Sequence, residues 1–120
     1  MQVTATANAG SAWSQTYTIT QTPGGPPVDL TGWTFELVIR PSSSDLTSPA
    51  LVQVTSAQSS AQGSITITPE TGTVAVVLTP AATMILGQGA RPYALWSGPG
   101  TDAATVWVDG TIVSRLVPVP

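Results

Sequence analysis

Along Trp33–Arg40 the apolar residues Trp33, Phe35, Leu37 and Ile39 alternate with Thr34, Glu36, Val38 and Arg40. A period of two sends each set to its own face of a strand, and four large side chains on one face mark a core strand. Weaker alternation recurs along the chain. Gln2–Ala7 puts Val3, Ala5 and Ala7 on one side, a thin apolar face that suits an edge strand or a projecting arm within residues 1–10. Gln15–Thr20 groups Tyr17 with Ile19, and Val74, Val76 and Leu78 share a face. Leu51–Thr55 and Ser64–Thr68 read as further strands. Tyr93–Trp96 and Thr105–Val108 read as partners around a Ser97–Ala103 loop, and Thr111–Val117 is extended.

The interruptions carry their own grammar. Pro23–Pro27 is a loop, because proline removes ladder donors and the two glycines relax the backbone. Pro41–Pro49 is a serine-rich loop. Asp29-Leu30-Thr31-Gly32 and Pro69-Glu70-Thr71-Gly72 have the residues of turns. One helix is expected near residues 80–86. Thr79 caps it, Pro80 takes its first position, and Gly87 ends it in the left-handed conformation, with Met84, Ile85 or Leu86 pinning it to the sandwich. Asp109-Gly110 is ambiguous between a two-residue hairpin turn and a bulge in one long strand.

Composition strengthens the strand reading. Thr (19), Val (13) and Ile (6) are stiff at χ1 and fit a pleated surface better than a helix. The 120 residues suffice for one domain with its own core. The expected architecture is all-β: a single small antiparallel β-sandwich over 1–120, immunoglobulin-like or jelly-roll-like. Thr71–Ala90 is uncharged and of membrane-spanning length, but Pro80, Gln88 and its glycines argue against a transmembrane helix. Met1–Gly10 lacks the basic start and apolar core of a signal peptide.

Charge narrows the chemistry. The chain has no Cys, His or Lys, and only three Arg against six acids, a net charge of −3. Disulfides and Cys or His catalysis are excluded, and the sign is wrong for binding nucleic acid through its phosphates. The acids Asp29, Glu36, Asp45, Glu70, Asp102 and Asp109 are scattered singly, mostly in turns, where Asp bonds its own backbone. No metal or cofactor motif is present, so the expectation is no cofactor, no metal and no catalytic residue. Trp33 belongs to the core face. If Tyr93, Leu95, Val106 and Val108 point inward, Trp96 and Trp107 lie side by side outside, and Trp13 goes either way. Neighbouring exposed indoles are an interface anchor or a sugar-stacking platform.

Two segments resemble a known family. VDLTGWTFELVIRPS (Val28–Ser42) is similar to a D-L-T-G-aromatic segment of small virion proteins from tailed bacteriophages. GSITITPETGTVAVVLTPAATMILGQGARPYALW, with the later GTIV, fits the strand, helix and strand pattern that follows in those proteins. The resemblance spans about 28–42 and 63–120. It is to the N-terminal β-sandwich domain of upper baseplate and tail-fibre-associated proteins. An acid that usually follows the family's tyrosine is Ala94 here, and its charged closing segment is the apolar Leu116–Pro120. The resemblance favours the bulge at Asp109-Gly110. It implies a non-enzymatic structural or attachment module in the tail, baseplate or neck of a virion.

Three other functions compete: a capsid decoration protein, a carbohydrate-binding module using Trp96, Trp107 and Trp13, and a carboxylate glycosidase. The expected partners are other virion proteins and further copies of the chain, with no nucleic acid and no membrane. Gln2–Ala7 is the expected exchanging arm, Trp96 and Trp107 the anchors, and Arg40, Arg91 and Arg115 the directional contacts.

Overall fold

A computed structural model describes residues 2–20, 24–41, 50–98 and 104–116. Eight strands occur in chain order: β1 (Gln2–Asn8), β2 (Trp13–Thr18), β3 (Phe35–Ile39), β4 (Val52–Thr55), β5 (Gly63–Thr68), β6 (Thr73–Leu78), β7 (Gly89–Ser97) and β8 (Thr105–Arg115). A helix, α1 (Pro80–Leu86), lies between β6 and β7, and a single 3-10 turn spans Pro69–Thr71. One sheet has the order β1-β8-β7-β3-β4 and the other β2-β6-β5. In the immunoglobulin plan β2-β6-β5 correspond to B-E-D and β8-β7-β3-β4 to G-F-C-C′, whereas β1 joins the G-F-C sheet and no C″ strand occurs among the described residues. Of the two expected sandwich types, the topology selects the immunoglobulin-like one.

The inner faces follow the alternation. Phe35, Leu37 and Ile39 of β3, Val52 and Val54 of β4, and Val74, Val76 and Leu78 of β6 are all buried. Leu95, Val108 and Ile112 complete the layer from β7 and β8. In antibody domains a disulfide between the second and sixth strands of the seven-stranded plan spans the sheets near this point. Here Tyr17 of β2 meets Tyr93 of β7, hydroxyl to hydroxyl at 3.4 Å, and both rings are buried. Burial, followed by the bond to Tyr93, pushes the Tyr17 phenol well above its ordinary pKa.

Two glycines are structural necessities. A Cβ on Gly63 would lie 2.0 Å from the Val77 carbonyl oxygen, and one on Gly72, at φ +64°, would lie 2.7 Å from that of Val28. Gly72 closes the 3-10 turn and lets the backbone of Pro27–Val28 pass close by.

The helix forms as its caps dictate: Thr79 Oγ1 accepts from Ala82 N–H, and Pro80 is its first residue. Of the three residues expected to pin it, Leu86 does so. Leu86, Ala82 and Thr83 are buried, whereas Met84 and Ile85 are about half exposed. Gly87 has positive φ, but with ψ −136° it is not left-handed helical. Thr71–Ala90 is divided among the 3-10 turn, β6, α1 and β7, and among the described residues no helix is long and apolar enough to cross a membrane.

Asp109-Gly110 is neither turn nor bulge. Ala94 pairs with Asp109 and Tyr93 with Gly110 in regular register inside one eleven-residue strand. The bulge lies two residues earlier: Leu95 pairs with Val108, but Trp96 pairs with Val106, so Trp107 is the extra residue. β7 also starts earlier than expected, since Pro92 costs little. Its carbonyl accepts from Arg40 N–H just past the end of β3, and the register with β8 runs through it. Pro41–Pro49, Ser97–Ala103 and Pro23–Pro27 fall partly outside the described residues.

Candidate functional site

The bulge separates the two tryptophans that strict alternation would put side by side. Trp96 stays on the outer face of the five-stranded sheet, 36% exposed, opposite Val106, which is 44% exposed. Trp107 turns the other way. Its indole N–H donates to Ser97 Oγ at 2.8 Å, and its ring packs against Trp33 at 5.9 Å, which in turn stacks on Phe35 at 6.0 Å. The inward Val106 of the sequence reading is therefore outside, and Trp107 joins the end of the core. Trp13, opposite Leu78 in the other sheet, packs half-buried against the core. The expected three-tryptophan platform is not assembled.

Around Trp96 the outer face of the sheet mixes apolar residues with two acids, Glu36 and Asp109. Its pairing rows bring together Val38 with Ala94 and Asp109, and Glu36 with Trp96 and Val106. Glu36 is tied to its neighbour, because Gln53 Nε2 donates to its Oε1 at 2.9 Å. The opposite face of the sandwich is different: Val77 is exposed there between the strand partners Ser14 and Ser64.

The three arginines have separate roles. Arg91 is committed within the fold: Nε and Nη2 donate to Leu86 O at 3.3 and 3.2 Å, and Nη1 to Pro41 O at 3.1 Å. It caps the last turn of α1, where a cation is favourable. Arg40 is half-buried at the end of β3. Arg115 is exposed at the end of β8. Sequence reasoning treated all three as surface contacts, since nothing in the order of residues signals that Arg91 reaches back to α1.

The described acids are Asp29, Glu36, Glu70 and Asp109. Asp29 accepts from Thr31 Oγ1 at 2.6 Å and Thr31 N–H at 3.0 Å, which holds its carboxyl below the usual range. That is the turn role expected of it. Among the described residues no group of three or more Asp, Glu, His or Cys is placed to hold a metal. Asp45 and Asp102 lie outside the described residues. At one end of the sandwich a shallow open cleft of about 320 Å³ is lined by Trp33 and Trp107 with Thr34, Ser97 and Thr105, and none of the described residues that line it is charged.

Comparison with solved structures bears on the fold. Two chains described as a marsupial T cell receptor superpose on this one with TM-scores of 0.61 and 0.52, at 10% and 12% sequence identity. The domain is immunoglobulin-like. Each match covers 97% of this chain but 34% of the receptor chain, so this domain spans about a third of their length. No family model and no curated protein sequence matches the chain. The immunoglobulin-like domain differs from an antibody domain at its centre, where Tyr17 and Tyr93 stand in for the cross-sheet cystines.

In this domain β1 is an edge strand, paired in parallel with β8 of its own chain from Gln2↔Asp109 to Asn8↔Arg115. Ala5 and Ala7 face the core as expected, and Val3's side chain is outside the described residues. The strand expected as an exchanging arm is thus folded back in cis.

Proposed function

We propose that the protein is a non-enzymatic structural component of a tailed-phage virion, a tail, baseplate or neck module that attaches or stiffens its neighbours. The observation that carries this reading is the exposed apolar patch of Trp96 and Val106 on the outer face of a sheet. On a chain with nine charged residues, such a face is poorly defended in free solution and suited to being covered. The sequence resemblance supports it, since its two segments hold β3 and all of β5 to β8, including Trp96. The test is quantitative mass spectrometry of purified particles from the encoding phage, before and after tail removal. The reading expects a few to a few tens of copies that leave with the tail. Copies in the hundreds that stay with the head would instead establish a capsid decoration protein, and absence from particles would reject both.

A second reading rests on the cleft between Trp33 and Trp107, whose indole walls and hydroxyls suit an uncharged sugar ring. It predicts glycan-array binding that disappears in Trp33→Ala. A blank array with the folded wild-type protein would reject it.

A further inference from the structure

The two edges of the five-stranded sheet are built differently, and the difference selects a partner. At the β4 edge the outward N–H of Gln53 donates to Gln62 Oε1 at 3.0 Å, while Gln62 Nε2 reaches Leu51 O at 3.5 Å. A side-chain amide from the following loop thus occupies the groups another strand would need. At the β1 edge no strand among the described residues pairs with the free side. Ala9 N–H donates to Arg115 O, so by alternation Thr4 and Thr6 aim their own N–H and C=O groups away from β8. The strand QVTATAN has no charge and no proline, and its ladder with β8 is unbroken. Among the described residues none of the usual devices that blunt an edge is present.

Charge fixes what suits this edge. On β8, immediately behind β1, Asp109 sits beside Gln2 and Arg115 beside Asn8, and both charged side chains are exposed. The edge is therefore negative at one end and positive at the other. A second copy running antiparallel brings unlike ends together twice; a parallel copy brings like ends together.

We propose that β1 pairs antiparallel with β1 of a second copy about a two-fold axis at Ala5, joining two sheets into one ten-stranded sheet. Thr4 lies opposite the partner's Thr6 and exchanges two backbone hydrogen bonds with it, and the symmetric pair does the same. Arg115, Asn8, the partner's Gln2 and the partner's Asp109 form one row. Three strand spacings of about 4.8 Å separate the charged backbones by about 14 Å, and the side chains shorten the gap to within a Debye length. The contact stands on the edge geometry alone, whether or not the chain belongs to a virion.

Sedimentation velocity of the full chain from micromolar to millimolar concentration tests it. The wild type is expected to show a concentration-dependent dimer that salt weakens. Thr4→Lys, on an exposed outward position, should give a monomer with an unchanged melting temperature. Arg115→Asp should weaken the dimer by roughly three- to tenfold at low salt. The exchange Asp109→Arg with Arg115→Asp should restore it, which a general loss of structure would not. A wild type that stays monomeric, a Thr4→Lys protein that dimerises normally, or a charge exchange that fails to restore affinity would each overturn the proposal.

Discussion

The β1 and β4 edges bound the same sheet, yet one is seven residues long and unpaired at Thr4 and Thr6, whereas the other is short and plugged. On β4 a single amide, Gln62, occupies an outward donor and an outward acceptor at once. On β1 the side chains toward solvent, Thr4 and Thr6, are short, neutral and good strand formers. An edge needs no charge to be guarded, because filling its hydrogen bonds from within does the same work. Where neither device is present, the edge is a template.

The largest effect is expected from loosening β1 itself. Ala7 is buried beneath it, and Ala7→Asp would bury an unpaired carboxylate at a cost of about 3 kcal/mol. Calorimetry should show the melting point fall by roughly 10 °C. A fall of only a degree or two would mean that β1 contributes little to the fold.

Between the edges, the Tyr17–Tyr93 contact ties the two sheets together, and its prediction concerns alkaline pH. The folded pKa of Tyr17 lies above its unfolded value, so the stabilisation is complete below the unfolded value of about 10. It is lost as pH rises beyond that. The chain has only two tyrosines. Absorbance should therefore show that at least one of the two phenols ionises only together with unfolding, whereas ionisation of Tyr17 near its ordinary pKa in a folded protein would contradict its burial. Opening the plugged edge comes next. Gln62→Ala should cost about 1 kcal/mol and give β4 an open edge, seen as assemblies larger than a dimer. Unchanged melting and unchanged assembly would show that the amide guards nothing. The smallest effect is on stability in Thr6→Lys, within about 0.5 kcal/mol, because the side chain is exposed.

Much of this fold was legible from period two alone. The faces of β3 and β6, the caps of α1 and the turn at Asp29 follow from local chemistry, and local chemistry is what a sequence displays. Two features depend on what crosses between strands. The bulge at Trp107 turns on a one-residue slip against Leu95 and Trp96, and Asp109-Gly110 offered a stronger local signal in the wrong place. Arg91 and Gln62 act on backbone carbonyls and amides brought near by folding, so their side chains announce nothing beforehand. The exposure of Trp96 was readable because its strand is regular up to that residue. That of Trp107 was not, because the slip falls on it.

The parallel pairing of β1 with β8 also sets the order in which the molecule is completed. The domain's first strand takes its last as partner, from Gln2↔Asp109 onward, the most distant pairing among the described strands. Its closure must wait until the rest of the sandwich is in place, since loop-closure entropy is lost before the contact returns anything. During that interval Gln2–Asn8 has neither edge paired, and its backbone groups are satisfied by solvent alone.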